Sequence, residues 1–153
     1  MLEPGDTAPD FTLPDQNGDG LTLSELRGQT VVLYFYPRAD TPGCTTQACG
    51  IRDRRADYEA AGVRVVGVSP DTIEAVSKFA GRYDLDFTLL ADADHAVADA
   101  YGTWGEKKMY GKTYLGVQRA TFIIDPEGRL AHVIPKASPK THDDEVLAAL
   151  SSL

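Results

Sequence analysis

Apolar residues recur in short blocks along the chain, and the spacing within each block predicts a strand or a helix. Near the amino terminus, segments 11–13 and 21–23 alternate apolar and polar residues and flank the turn-rich segment 14–20. This pattern predicts an N-terminal β-hairpin. Segment 31–36 is apolar throughout and is stopped by Pro37, so it predicts a central strand that is buried on both faces.

The middle of the chain alternates helix and strand signals. A helix-compatible composition runs from Cys44 to Ala60, Gly62 supplies a stop, and the apolar segment 63–69 predicts the next strand. Strand, helix and strand together form a βαβ unit. The elements predicted after it are a helix capped by Asp71 that runs toward Tyr83, a short strand at 87–90, and a helix opened by Asp92 or Asp94 that ends near Tyr101 and Gly102.

The last third of the chain changes character. Segments 120–124 and 130–134 flank a turn of sequence DPEG and predict an antiparallel hairpin. Thr141 or Asp143 then caps a closing amphipathic helix. Before this hairpin, segment 102–116 shows no clear periodicity and predicts a long connection that is either functional or mobile.

This order of elements predicts an α/β protein with a thioredoxin-like fold in a single domain that covers residues 1–153. The central sheet is expected to be mixed, with helices on both faces and the hairpin at the amino terminus. An all-parallel doubly wound sheet is the alternative. That fold needs a phosphate-binding loop such as a glycine-rich turn after its first strand, and the sequence of residues 37–40, PRAD, is not one.

Composition and charge remove several classes of function. The chain has 153 residues and a net charge of −8, and its pI is about 4.7. Such a charge repels phosphate backbones, so no nucleic-acid partner is expected. No apolar run approaches the length of a membrane span, and the acidic residues 1–6 resemble neither a secretory signal nor a transit peptide. We therefore expect a cytoplasmic protein without a membrane partner.

Cys44 and Cys49 are the two cysteines of the chain, and their context favours reactive thiols. Small disulfide scaffolds use more than one bridge, although two cysteines can also serve simply as small buried apolar residues. Residues 41–44, TPGC, follow the predicted central strand and open the next helix. The Cys44 sulfur is thus predicted to lie in the first helical turn, among backbone N–H groups without helical partners.

A helix end alone stabilises a thiolate only modestly. Its contribution is about 0.3–1 kcal/mol, rising to about 2 kcal/mol in a partly buried site. A cation or a further hydrogen-bond donor must add to it. The sequence therefore predicts that Thr41 and an arginine take part in the site.

The spacing of Pro37, Thr41 and Cys44 at the end of an apolar strand resembles the active-site signature of peroxiredoxins. The resemblance extends along nearly the whole chain and is closest to the bacterioferritin comigratory protein, or peroxiredoxin Q, subfamily. The segments that carry it are 5–11 (GDTAPDF), 34–37 (YFYP), 41–49 (TPGCTTQAC), 104–107 (WGEK) and 119–125 (RATFIID). The resemblance implies a thiol-dependent peroxidase that reduces hydrogen peroxide and organic hydroperoxides in antioxidant defence.

The resemblance also implies a role for each matching residue. Cys44 is the peroxidatic cysteine, Cys49 is the resolving cysteine that forms a disulfide with it, and Thr41 is a hydroxyl partner of the thiolate and the peroxide. The remaining matches are Pro37 as a shield, Gly43 as part of the peroxide-binding loop and Arg119 as the guanidinium of the site. Gln47 stands where many peroxiredoxins carry a glutamate, so a neutral hydrogen bond is expected to orient Arg119 in place of an ion pair.

Helix geometry constrains the step that joins the two cysteines. In an intact α-helix, Cα atoms five residues apart lie about 8.7 Å from each other, and disulfides rarely span more than about 7 Å. The hypothesis is therefore that Cys44 becomes a sulfenic acid, the helix unwinds locally, and Cys49 condenses with it. Since the chain has no third cysteine, an external reductant is required. The resemblance points to thioredoxin or a glutaredoxin-type protein, and to a monomer.

Other signals are weaker. His95, His132 and His142 make no metal-site spacing with the cysteines, so we expect neither a metal nor another cofactor. The arginines in segment 52–55 fit a solvated helix face better than a docking site. A thiol–disulfide oxidoreductase is disfavoured because its cysteines normally stand two residues apart. A redox sensor or holdase that uses the same disulfide stays open as an alternative.

Overall fold

The longest apolar block forms the middle strand of a five-stranded sheet, as its sequence predicts. The structure is a computed structural model that describes residues 1–153. The sheet contains β3 (Thr30–Phe35), β4 (Val63–Ser69), β5 (Thr88–Ala91), β8 (Ala120–Ile124) and β9 (Leu130–Ile134). Two hairpins are separate from this sheet. One pairs β1 (Thr12–Pro14) with β2 (Gly20–Thr22), and the other pairs β6 (Trp104–Met109) with β7 (Lys112–Val117). The helices are α1 (Pro42–Asp53), α2 (Arg55–Ala60), α3 (Ile73–Arg82), α4 (Ala96–Ala100) and α5 (His142–Ser151), and a 3-10 helix covers Leu23–Leu26.

The strand order in the sheet is β5-β4-β3-β8-β9. Strands β3, β4 and β5 run parallel to one another, while β8 is antiparallel to β3 and to β9. The mixed sheet and the N-terminal β1–β2 hairpin confirm the predicted architecture, and the antiparallel strands rule out the all-parallel alternative. The longest helix has 12 residues, and no helix is long and apolar enough to cross a bilayer.

Alternation along β3 divides the core into two layers. Val32 and Tyr34 face one side of the sheet, where they pack with buried residues of α1, α2, α3 and α5. Val31, Leu33 and Phe35 face the other side, where α4, the 3-10 helix and the amino-terminal segment cover them. Successive strand residues point to opposite faces, so a run that is apolar at every position supplies both layers at once.

The helix predicted over residues 44–60 is two helices. α1 ends at Asp53, and α2 begins after Arg54, whose backbone leaves the helical region at φ −104° and ψ 21°. The change of direction brings Tyr58 of α2 into the core, where it is 3% exposed. Its hydroxyl donates a hydrogen bond to the Asp143 carboxylate at the start of α5. The prediction of one continuous helix was wrong because composition alone does not reveal this tertiary contact.

The prediction of an irregular connection over residues 102–116 was also wrong, since this segment forms most of the β6–β7 hairpin. Its two-residue turn is Tyr110-Gly111, with φ values of 51° and 77°. Two positive φ values are typical of the type I′ turn that suits a two-residue hairpin. Most side chains of both strands are exposed to solvent, so the sequence lacks the alternation by which strands are recognised.

Asp71 does not cap α3 as predicted. The capping side chain belongs to Thr72, whose hydroxyl accepts a hydrogen bond from the Ala75 N–H. The Asp71 carboxylate instead accepts a hydrogen bond of 2.8 Å from the N–H of Ala39. It therefore anchors the loop that connects β3 to α1.

The caps predicted for the two later helices have different outcomes. The buried Asp92 carboxylate accepts hydrogen bonds from the N–H groups of Val97 and Ala98 at the start of α4, as predicted. Thr141 occupies the N-cap position of α5, but its side chain makes no capping hydrogen bond and its hydroxyl contacts the Glu145 carboxylate instead.

Replacing Gly67 by alanine is expected to destabilise the sheet by about 1–3 kcal/mol through overpacking. Gly67 is the cross-strand partner of Tyr34 on one side and of Leu89 on the other. A Cβ at this position would lie 2.8 Å from the Tyr34 ring and 2.9 Å from Leu89 Cδ2. Urea unfolding would measure the loss of free energy.

The matched control is Gly81→Ala in α3, where an added Cβ meets no atom within 4 Å. Alanine is favoured over glycine in a helix, so this variant should gain about 0.4–1 kcal/mol. Equal effects of the two substitutions would contradict the assignment of Gly67 to a tightly packed rung of the sheet.

Candidate active site

Cys44 lies in the first turn of α1, which the loop after the central strand β3 leads into. Thr41 is the N-cap residue with an extended backbone, and Pro42 occupies the first helical position. Proline suits this position because its missing N–H would have no partner there. Cys44 is 1% exposed and belongs to the core layer that contains Tyr34 and Tyr36.

Two backbone N–H groups of the first turn stay free for a ligand. The first hydrogen bond that α1 receives runs from the Thr45 N–H to the Thr41 carbonyl at 2.8 Å. The N–H groups of Gly43 and Cys44 donate to no acceptor in the chain. Unpaired N–H groups at a helix N-terminus favour an anion or a developing negative charge.

Arg119 reaches this turn from the residue that precedes β8. Its Nη2 donates a hydrogen bond to Cys44 Sγ at 3.4 Å, and its Nη1 donates to Gln47 Oε1 at 2.6 Å. Gln47 is fully buried. The neutral hydrogen bond that the sequence predicts between Gln47 and Arg119 is therefore present, and the guanidinium keeps its full positive charge beside the sulfur.

Gly43 allows the guanidinium to approach the helix. A Cβ at Gly43 would lie 3.1 Å from Arg119 Nη2 and 3.4 Å from Pro139 Cγ. Pro139 belongs to the segment between β9 and α5, and the same segment ties to Arg119 through a hydrogen bond from the Ala137 N–H to the Arg119 carbonyl at 2.9 Å. The first turn of α1 is thus enclosed between Arg119 and this segment.

Thr41 and Pro37 complete the loop between β3 and α1. The Thr41 hydroxyl donates a hydrogen bond of 2.8 Å to the Arg38 carbonyl and makes no capping hydrogen bond. The structure therefore places Thr41 beside the site with its proton engaged by the loop, while its oxygen can still accept. Pro37 is half-buried and directly follows Tyr36.

Cys49 lies on the same uninterrupted helix as Cys44, and both thiols are free. Cys44 is buried and Cys49 is half-buried. They are five positions apart in a regular helix, so their Cα atoms are about 8.7 Å apart. The two sulfurs therefore belong to one element but cannot bond while that element is intact.

A buried polar pair behind the site was not predicted. The Nε2 atom of His142 lies 2.7 Å from the Thr121 hydroxyl, and the His142 ring packs 5.7 Å from the Tyr34 ring. Burial, together with the positive charge of Arg119, lowers the pKa of His142 to about 4. The sequence offers no signal for this pair because residues 121 and 142 belong to elements that only the fold brings together.

The tyrosines of β3 form a neutral wall around the sulfur. Tyr34 and Tyr36 are 1% exposed and stack with ring centroids 5.4 Å apart. Burial is the main cause that raises the pKa of each phenol above its ordinary value. Both tyrosines are core residues, in agreement with the buried strand predicted for segment 31–36.

The arginines that follow Cys49 are engaged within the chain. Arg52 pairs with Asp53, Arg54 with Asp57 and Asp144, and Arg55 with Glu59 and Asp86. Their guanidinium groups thus hold α1 and α2 to neighbouring elements. This arrangement agrees with a solvated helix face.

Three comparisons bear on the class of protein. Residues 4–133 match the model of the AhpC/TSA family. The peroxiredoxin Bcp of Escherichia coli is 49% identical over 146 residues, which are 95% of this chain and 94% of that protein. Two solved structures from other organisms are also similar to this chain.

The peroxidoxin BcpB of Mycobacterium tuberculosis has a TM-score of 0.89 and 39% identity, and covers 100% of this chain and 99% of its own. A bacterioferritin comigratory protein from Xanthomonas campestris, described with an alkyl peroxide reduction activity, has a TM-score of 0.88 and 34% identity, and covers 99% of this chain and 96% of its own. These similarities confirm the predicted thioredoxin-like fold and the resemblance drawn from the sequence.

Stability should fall as the pH decreases from about 6.5 to about 4, partly because of His142. In this range the unfolded chain binds a proton at His142 that the folded protein excludes, so acid favours unfolding by up to about 3 kcal/mol. The variant His142→Gln keeps a donor for Thr121 but cannot titrate. Urea unfolding at pH 7, 5.5 and 4.5 would measure both proteins.

The difference in unfolding free energy between wild type and His142→Gln should shrink toward acidic pH. Burial raises the pKa of Asp92 and Asp143, which works in the opposite direction, but both carboxylates are present in the two proteins. A difference that stays constant from pH 7 to 4.5 would contradict the assignment.

Proposed function

Since the chain belongs to the AhpC/TSA family and is a peroxiredoxin, a thiol-dependent peroxidase, we propose that Cys44 is the thiol that attacks the hydroperoxide. The observation that carries this proposal is the hydrogen bond from Arg119 Nη2 to Cys44 Sγ at 3.4 Å. It places a fixed cation on the sulfur at the amino-terminal end of α1. Of the two cysteines, Cys44 alone receives such a donor.

In the first step, the Cys44 thiolate attacks one oxygen of the hydroperoxide and the O–O bond breaks. The sulfur is oxidised to a sulfenic acid, and the other oxygen leaves as an alcohol, or as water from hydrogen peroxide, once it has taken a proton. The N–H groups of Gly43 and Cys44 and the Arg119 guanidinium are the donors placed for the charge that develops on the oxygens. The Thr41 oxygen can accept a hydrogen bond from the peroxide O–H.

Pro37 and Gly43 contribute by limiting what surrounds the sulfur. Pro37 lies half-buried at the start of the loop from β3 to α1, and its proposed role is to shield the thiolate from water. Gly43 leaves the space above the first turn to the guanidinium. The proposed substrates are hydrogen peroxide and organic hydroperoxides, in keeping with the alkyl peroxide reduction described for the Xanthomonas campestris neighbour.

In the second step, the Cys49 thiol attacks the sulfenic acid of Cys44, a disulfide forms and water leaves. Cys44 and Cys49 lie in one regular helix, so this step requires the opening of α1. The backbone hydrogen bonds within segment 41–54 are lost, and the buried Gln47 and Ala48 must leave the core. The free energy of this local opening therefore controls how long the sulfenic acid persists and how readily a second peroxide over-oxidises it.

In the third step, an external dithiol returns the disulfide to two thiols. The chain has no third cysteine that could perform the exchange. Thioredoxin or a glutaredoxin-type protein is the proposed reductant, since each presents a reactive thiolate that can attack an exposed disulfide. The cycle is proposed to run in one chain, in the cytoplasm.

Stopped-flow mixing of the reduced protein with hydrogen peroxide tests the first step. Wild type should react at least about 10²–10³-fold faster than free cysteine, which is the contribution of one fixed donor to a developing charge. Cys44→Ser should lose the reaction entirely. Cys49→Ser should keep the first oxidation within about twofold but lose turnover with thioredoxin.

A rate no faster than that of free cysteine would contradict the peroxidase assignment of Cys44. A single fast oxidation without turnover, in the presence of either reductant, would instead favour the alternative of a redox sensor or holdase. Reaction of Cys49 in the absence of Cys44 would reverse the proposed roles of the two thiols.

Hydrogen exchange tests the opening of α1. After oxidation with one equivalent of peroxide, amides between residues 41 and 54 should exchange at least about tenfold faster than in the reduced protein. Amides of β4 (Val63–Ser69) serve as the internal control and should not change. Identical protection in both forms, with the Cys44–Cys49 bond shown by mass spectrometry, would contradict the requirement for opening.

A further inference from the structure

The loop between β3 and α1 turns through Asp40 in a left-handed backbone conformation. Asp40 has a φ of 60° and directly precedes Thr41, the N-cap residue of α1. Residues other than glycine seldom adopt this region, although aspartate and asparagine tolerate it better than most. Such a backbone persists only where the surrounding structure holds it. The contacts that hold Asp40 therefore determine how the chain enters α1.

Both carboxylate oxygens of Asp40 are held by the end of α3. The Tyr83 hydroxyl donates a hydrogen bond of 2.9 Å to Oδ1, and Arg82 Nη1 donates one of 2.9 Å to Oδ2. The Arg82 side chain is 65% exposed, and ion pairs as exposed as this one contribute little. The half-buried Tyr83 is therefore the partner that fixes the carboxylate.

Tyr83 is itself fixed to the core. Its ring packs edge-on against the buried Phe79, with the ring centroids 5.7 Å apart, and its N–H donates a hydrogen bond to the Phe79 carbonyl. The Tyr83 carbonyl accepts a hydrogen bond of 2.6 Å from Arg52 Nη1, near the end of α1. The hydroxyl that binds Asp40 thus has a defined place relative to α1.

The residues on either side of Asp40 are held as well. The Ala39 N–H donates a hydrogen bond of 2.8 Å to the Asp71 carboxylate, and the Thr41 hydroxyl donates one of 2.8 Å to the Arg38 carbonyl. Four consecutive residues of the loop, 38–41, therefore take part in hydrogen bonds. This loop presents Thr41 and the first turn of α1 in one arrangement.

We infer that Asp40 is a positioning residue of the active site and that Tyr83 holds it in place. Asp40 acts through the adjoining Thr41, whose hydroxyl it sets relative to the Cys44 thiolate. The inference rests on the proposed function of Cys44. Groups that assist a reaction must be held at fixed positions, since a displacement of about 1 Å can slow the reaction by up to about 10²-fold. Loss of the anchor should slow the peroxide step but leave the thiolate, which Arg119 stabilises from another part of the chain.

Two rates measured in a Cys49→Ser background test this role. One is the oxidation of Cys44 by hydrogen peroxide in stopped flow, and the other is the alkylation of Cys44 by iodoacetamide. Asp40→Gly keeps the left-handed backbone but removes the carboxylate. It should lower the peroxide rate constant by about 3- to 10-fold. The alkylation rate should not fall, because iodoacetamide needs the thiolate but not the Thr41 oxygen.

The matched control is Asp84→Gly. Asp84 also has a left-handed backbone, with a φ of 53°, and its carboxylate takes part in no ion pair. This variant should keep both rates within about twofold of the parent. Asp40→Asn should also stay within about twofold, since asparagine tolerates this backbone and its side-chain oxygen can accept the Tyr83 hydroxyl.

Tyr83→Phe tests whether Tyr83 acts through Asp40. It removes the hydroxyl but keeps the ring on Phe79 and the carbonyl that Arg52 binds. Alone, it should lower the peroxide rate constant by about 3- to 10-fold, and in the Asp40→Gly background it should lower it no further. Additive losses would overturn the link between the two residues.

Equal peroxide rate constants for Asp40→Gly and Asp84→Gly would overturn the inference. So would an alkylation rate that falls in parallel with the peroxide rate, because the variant would then have changed the thiolate itself. Thermal unfolding of each variant checks that the fold is kept. A Cys49→Ser parent no faster than free cysteine would sink the proposed function and this inference together, whereas a fast parent with unchanged variants would sink this inference alone.

Discussion

One guanidinium group connects the parts of the active site. Arg119 donates one hydrogen bond to Cys44 Sγ and another to Gln47 Oε1, and both acceptors are on α1. The central sheet makes this possible because Phe35 at the end of β3 is paired with Ala120 at the start of β8. The antiparallel pairing brings the residue before β8 to the same edge of the sheet as the loop that leads into the helix.

The neutral partner of Arg119 determines the electrostatics around the sulfur. A carboxylate at position 47 would share the charge of the guanidinium, whereas the Gln47 amide only orients it. The Nε2 atom of Gln47 is buried and has no hydrogen-bond partner, so the bond from Arg119 is the one hydrogen bond of the Gln47 side chain. Orientation and charge are thus supplied by different residues, and the full positive charge is left for the thiolate.

The elements that the sequence predicted best are those with a strong periodicity or a special residue. Segment 31–36 was recognised because it must fill both core layers, and the turn at residues 41–44 because proline and glycine mark a helix start. The β6–β7 hairpin and the break at Arg54 were missed. The hairpin has no buried face to create alternation, and the break depends on a contact between Tyr58 and Asp143 that are 85 residues apart.

The site residues were also predicted unevenly, because a local motif reveals some of them and only the fold brings the others together. Residues within the continuous segment 37–49 were found because one motif contains them, and Arg119 followed from resemblance alone. The His142–Thr121 pair depends on the packing of α5 against β8, which no local pattern encodes.

In the proposed cycle, the break between α1 and α2 at Arg54 also sets the size of the cooperative unit that opens. α2 has anchors of its own, since Tyr58 bonds to Asp143 and Arg54 pairs with Asp144. Melting that begins at Cys44 can therefore stop at Arg54, and the sheet and α2 remain as a template on which the 12 residues of α1 refold. A single uninterrupted helix to Ala60 would extend each proposed opening to the buried Tyr58, so the break confines the proposed unfolding to α1.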